Sequence, residues 1–212
     1  MLDRSKPYAL RAGWVLCERL LICSFSNQCS IVSLSLNSLL FKAKEAERGR
    51  REVGTDCFEY KVDPKLVEGV TAEEFGRAFA RSSFFSFERK LGTLLGTGKT
   101  RTDEELKKFK FNKGREVAIT FVVYETRPET GELLWRTSDA MDGYSWMQVD
   151  AERGVFRFGS GWNAGDKWLI AFLPIHRVYS RILLKSAVKR LLLDREEDSD
   201  LPSTGEDAPT TT

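Results

Sequence analysis

The sequence predicts an α+β fold: a curved antiparallel sheet with two short helices and a long C-terminal helix. Three observations carry that prediction. Two Thr-x-x-Glu capping boxes, Thr71 to Glu74 and Thr102 to Glu105, open helices ahead of the sheet. Alternating apolar residues over 116–124, 133–137, 144–149 and 155–159 mark strands joined by short connections, as in an antiparallel meander. The apolar and basic run from Lys167 to Leu193 then closes the domain.

The chain has 212 residues, 42% of them hydrophobic and 30% charged, which suits one domain with extensions. A formal net charge of +2 gives no strong pull toward nucleic acid, and no nucleic-acid partner is expected. Residues 1–54 read as a poorly ordered or loosely docked extension ending in the charged linker KAKEAERGRRE. Within it, Leu20–Phe41 is uncharged and long enough to span a bilayer, but nine of its residues are Ser, Asn or Gln. No compact apolar core followed by a small-residue cleavage site marks a signal peptide. Cys17, Cys23, Cys29 and Cys57 form no C-x-x-C pair, and the single histidine, His176, is far from them. They read as reduced thiols of a cytoplasmic protein, with no metal and no cofactor expected.

The domain is assigned to residues 55–194. Cys57–Val62 is its first strand, and Asp63-Pro64 turns the chain. The first helix carries Phe75 and Phe79 on one face; Ser82-Ser83 breaks it. Phe84, Phe87, Leu91, Leu94 and Leu95 then continue at helical spacing. The segment GTGKT, 96–100, resembles the end of a phosphate-binding loop. It lacks the glycine required at Thr93 and follows a helix, so it reads as a glycine-rich helix end. From Glu116 the period becomes two, with Val117, Ile119, Phe121 and Val123 on one face of a single strand apolar on both sides. Arg127–Gly131 is a turn, and Gly154 suits a positive φ between the last two strands.

Pro174 sets the expected start of the regular closing helix, which runs from there to Leu193. Ile175, Val178, Tyr179, Ile182, Leu183 and Ser186 share the face expected to meet the sheet, so a carboxylate at Ile182 is expected to unfold the domain. Arg177, Arg181, Lys185 and Lys189 step by four into a cationic stripe, suited to a solvated face or to an anionic surface. Residues 195–212 are acidic, then rich in Ser, Thr and Pro, and are expected to be disordered. Residues 55–194 are expected to fold without either end.

The segments FRFGSG (156–161) and FLPIHRVYSR (172–181), with TAEEF (71–75) and SWMQV (145–149), carry a resemblance. They resemble the C-terminal signature of uncharacterised START-like (polyketide cyclase/lipid-transport-like) proteins, over about Cys57–Leu193. The resemblance implies a helix-grip fold with a cavity between sheet and closing helix, commonly used for apolar ligands. It implies no particular reaction. Trp135, Tyr144, Trp146, Phe158 and Trp162, with His176 and Tyr179, form the candidate ligand pocket. Gly159-Ser-Gly161 permits close backbone approach, or marks a bulge or turn. His176 alone has an ordinary pKa near neutrality; a structural role and acid–base work with Asp139, Asp142 or Asp166 are its two readings. The leading functional expectation is a module binding a small apolar molecule. The alternatives are a cyclase- or hydro-lyase-type enzyme using the same cavity, and a peripheral membrane or interaction protein using the basic stripe. The sequence leaves the oligomeric state open.

Overall fold

A computed structural model describes residues 29–32, 38–47, 53–94, 101–118, 121–137, 143–163 and 167–199. The sheet strands are β1 (Cys29–Ile31), β2 (Val53–Lys61), β3 (Glu116–Ala118), β4 (Phe121–Arg127), β5 (Glu132–Thr137), β6 (Tyr144–Asp150) and β7 (Val155–Asn163). The helices are α1 (Leu39–Glu47), α2 (Ala72–Arg81), α3 (Ser83–Leu94), α4 (Asp103–Lys107) and α5 (Lys167–Ser199). All pairings are antiparallel and the strand order is β1-β2-β7-β6-β5-β4-β3. Strands β3 to β7 form a meander by short turns, while β2 returns beside β7 along its whole length, from Val53↔Asn163 to Lys61↔Val155. With α5 across the concave side, this is the helix-grip architecture that the order of elements predicts.

Local chemistry fixes the helix starts. Thr71 accepts from Glu74 N–H while Glu74 accepts from Thr71 N–H, and Thr102 and Glu105 repeat the arrangement, so both capping boxes form. Ser82 separates α2 from α3. Gly131 adopts φ 64°, and a Cβ there would lie 2.2 Å from the Val149 carbonyl oxygen, so only glycine fits this turn.

Strand alternation divides the core. Phe58, Trp135, Phe156 and Phe158 face α2, α3 and α5, where the Phe79 ring meets Phe75, Phe85, Trp135 and Phe158 at centroid distances of 5.0–6.3 Å. Leu183, Leu184, Ala187, Val188 and Leu191 of α5 complete this layer. The opposite face holds Cys57, Leu134, Tyr144 and Trp146 under Leu39, Leu40 and Ala43 of α1. Glu132, 2% exposed, fastens α1 there: its carboxylate accepts from Leu39 N–H (2.9 Å), Trp146 Nε1 (3.0 Å) and Thr130 Oγ1 (2.7 Å). A carboxylate at a helix N-terminus is favoured by the unpaired amides and the helix dipole.

Four expectations change. The stretch assigned to a loose extension contributes β1, paired with β2, and α1, packed on the sheet, because Leu39 and Leu40 cover apolar strand residues that a one-sided reading leaves bare. The single strand expected over 116–124 is a β3–β4 pair with Ala118 opposite Phe121; residues 119–120 lie outside the described residues. Helix α5 starts at Lys167 and runs past Leu193 to Ser199, with Pro174 inside it. At its far end Asp194 is held by Arg190 and by Arg81 of α2 (2.9 Å to Arg81), which offsets the cost of carboxylates at a helix C-terminus. Finally, the sheet-facing side of α5 is centred on Leu184, Ala187 and Leu191, whereas Ile175 is 37% exposed and Ile182 only half-buried. The glycine-rich segment 95–100, Asp139, Asp142, Asp166, Cys17, Cys23 and the tail beyond Ser199 lie outside the described residues.

Candidate functional site

Beneath the first half of α5 the apolar core gives way to polar groups. Asp56 on β2 pairs in register with Ser160 on β7, so both share the α5-facing side with Trp162. From α5, His176 and Ser180 stand one turn apart, and Tyr179 turns toward Glu88 of α3. The Asp56 side chain is 5% exposed. Its Oδ1 accepts from Ser160 N–H at 3.3 Å, while the buried Oδ2 has no hydrogen-bond donor. His176 Nε2 lies 3.6 Å from that Oδ2, just beyond hydrogen-bond range, and 3.4 Å from Ser180 Oγ.

The electrostatics follow from burial. Desolvation raises the Asp56 carboxyl from 3.8 to about 6, the Ser160 amide and Arg177 opposing it. Desolvation lowers His176, and the Arg177 charge lowers it further. Burial thus keeps the Asp56 carboxyl protonated up to about pH 6 and favours the neutral form of the His176 imidazole. The Tyr179 hydroxyl donates to Glu88; burial raises both groups, and the neighbouring carboxylate raises the phenol again.

An aspartate, a histidine and a serine meet here, yet they do not form a nucleophilic triad. Such a triad uses both imidazole nitrogens, one for the carboxylate and one for the serine. Here Nε2 faces both partners, and Ser180 is fully buried in α5. Asp56 Oδ2, without a donor and 3.6 Å from His176 Nε2, can instead accept a hydrogen bond from a ligand placed beside the imidazole. Among the described residues, no group of three or more His, Cys, Asp or Glu is placed to hold a metal ion.

Of the seven residues assigned to a pocket, the structure brings three together. Trp162 packs edge-on to His176 (5.8 Å), and His176 stacks beside Tyr179 (6.4 Å). Phe158 is buried two residues below Ser160, as part of the floor. Trp135 is 0% exposed and lies parallel to Phe111, deep in the core. Tyr144 and Trp146 lie on the other side of the sheet, under α1. Aromatics at strand spacing alternate between faces, which a linear cluster conceals. Gly159 and Gly161 likewise serve α1: a Cβ at Gly159 would lie 2.9 Å from Leu40 Cδ2, and one at Gly161 3.2 Å from Leu40 Cδ1. The β2–β7 register passes through both without a bulge. Sequence reasoning missed Asp56, Ser160, Ser180 and Glu88. Starting the strand at Cys57 left Asp56 outside it; one more residue of alternation would have put a carboxylate beside Phe58.

A separate open cleft of about 640 Å³ lies between the start of α2, the 128–130 turn and the β6–β7 turn. None of the seven residues lines it. Family models, curated proteins and solved structures give no match to the chain.

Proposed function

We propose that the chain is a START-like binding module that holds one small, largely apolar molecule at the mouth of the helix-grip. The deeper space between sheet and α5 is filled by buried aromatic and aliphatic side chains, so the ligand sits among Trp162, His176 and Tyr179. The observation that carries this reading is the buried Asp56 Oδ2 without a donor. A buried carboxylate oxygen left unpaired is costly, and a ligand hydroxyl or amide N–H would satisfy it. Arg177 lies close enough to lower both Asp56 and His176, which disfavours a cationic ligand. Free Cys29 and Cys57 fit a reducing, cytoplasmic setting. Native mass spectrometry of the full chain purified from its expression host tests the proposal. A bound small molecule is expected on the wild type, lost from Asp56→Asn and Trp162→Ala; a wild type without adduct, or adducts unaffected by both substitutions, contradicts it.

One observation favours a second reading, an enzyme of the cyclase or hydro-lyase kind. His176 Nε2 stands 3.6 Å from Asp56 Oδ2, a separation that must shorten to hydrogen-bond distance on ligand binding for the pair to pass a proton. A product differing in mass from the bound molecule, absent in His176→Ala, would establish it over simple binding.

A further inference from the structure

Of the residues that helical spacing groups as the apolar face of α5, Leu183 is buried in the core, but three others lie outside it. Ile175, Val178 and Ile182 follow one another at i, i+3 and i+7, on the side away from the buried row Leu184, Val188 and Leu191; Ile175 is 37% exposed. Helix α3 lies antiparallel beside them, fixed by Ser83–Ser186 (3.1 Å), Phe84–Tyr179 (5.3 Å) and the Glu88–Tyr179 hydrogen bond. It also turns an apolar row outward: Phe87 is 62% exposed, Leu91 41% and Leu94 83%. Single exposed apolar residues are ordinary, but two adjacent helices each presenting such a row form a patch.

Along the patch itself the unpaired charges are positive, and the carboxylates of α5 begin only at Asp194, past its end. No Asp or Glu occurs between Lys167 and Leu193, and the only carboxylate of α3, Glu88, is bonded to Tyr179. Asp103, which approaches α3 from α4, is paired with Arg89. Exposed Lys90 stands within the α3 row, and Lys185 and Lys189 extend along the outer side of α5. A two-fold pairing of this face with a second copy would set like charges against each other. An apolar face bordered by lysines matches the boundary between lipid headgroups and acyl chains.

We propose that the α3–α5 face docks on an anionic lipid bilayer, with Phe87, Leu91 and Leu94 entering the interface and Lys90, Lys185 and Lys189 lying among the headgroups. The proposal stands apart from ligand carriage: vesicle binding by a chain that carries no small molecule leaves it intact.

Co-sedimentation of the full chain with vesicles of phosphatidylcholine alone, or mixed with phosphatidylserine, tests it. The wild type is expected to bind the mixed vesicles and to release as salt rises toward about 1 M, where screening acts within about 3 Å. Phe87→Ser/Leu91→Ser is expected to bind roughly tenfold more weakly, with an unchanged melting temperature because both positions are exposed. Lys90→Gln/Lys189→Gln, which leaves every packed residue in place, should lose the preference for phosphatidylserine. Failure of the wild type to bind overturns the proposal, as does equal binding by both double variants. A dimer in sedimentation velocity that Phe87→Ser/Leu91→Ser dissolves, without vesicle binding, assigns the face to a second copy instead.

Discussion

At the scale of single residues, Asp56 makes stability depend on pH in a direction opposite to most carboxylates. Its pKa rises from 3.8 in the unfolded chain to about 6 in the fold, so between these values the folded protein holds the extra proton. Stability from this group is therefore full below about pH 4 and lost as pH rises through about 6. His176 is shifted down, so its contribution runs the other way, growing as pH rises toward its ordinary value of 6.5. Asp56→Asn removes the carboxylate's own contribution and leaves that of His176, its pKa lowered by the loss of the neighbouring charge. Relative to wild type it should gain up to about 3 kcal/mol as pH rises from about 4 to above 6. Denaturant melts of both proteins across that range measure the difference, and parallel stability curves would refute it. Glu132 shows the contrasting case: its buried carboxylate meets three donors and acts as a fastener.

At the scale of elements, α5 separates helical periodicity from burial. The sequence contains two candidate apolar faces on nearly opposite sides of the helix, and spacing alone favours the wrong one. The structure buries Leu184, Ala187, Val188 and Leu191, and leaves Ile175 and Ile182 at the side. Ile182→Asp is accordingly expected to cost only about 1 kcal/mol, whereas Leu184→Asp places an unpaired charge in the core at about 3–5 kcal/mol. Circular dichroism melts should show a folded Ile182→Asp protein and an unfolded or strongly destabilised Leu184→Asp protein. The reverse order would mean that α5 sits rotated on the sheet. What made the strands and α2–α4 legible was local: capping boxes, turn glycines and two-residue alternation act within a few positions. Choosing a face of α5 depends on what the sheet and α3 offer it, and no window of α5 carries that information.

At the scale of the molecule, the sheet is covered on both sides, and the second layer changes where the domain begins. Leu39 and Leu40 are 1% and 0% exposed, and Gly159 and Gly161 leave the room that Leu40 occupies. Burying two leucines is worth about 3–6 kcal/mol, a large part of a typical total of about 5–15 kcal/mol. The chain 53–199 should therefore melt far below the chain 29–199 or fail to fold. Equal melting temperatures would show that α1 adds nothing. The meander and closing helix were readable because their apolar residues are consecutive. The site was not, because Asp56 and His176 are brought together only by the β2–β7 pairing and the crossing of α5.

That buried pair is also the most direct point of test, since the chain has one histidine and hence one imidazole signal. Titration of the His176 ring resonance by NMR should give a midpoint below 6.5, because burial and Arg177 oppose the charged ring. In Asp56→Asn the midpoint should fall further, since the substitution removes a carboxylate 3.6 Å from Nε2. A midpoint at 6.5 in both proteins would mean that the ring is solvated and apart from Asp56, and the site at the mouth of the helix-grip would be lost with it.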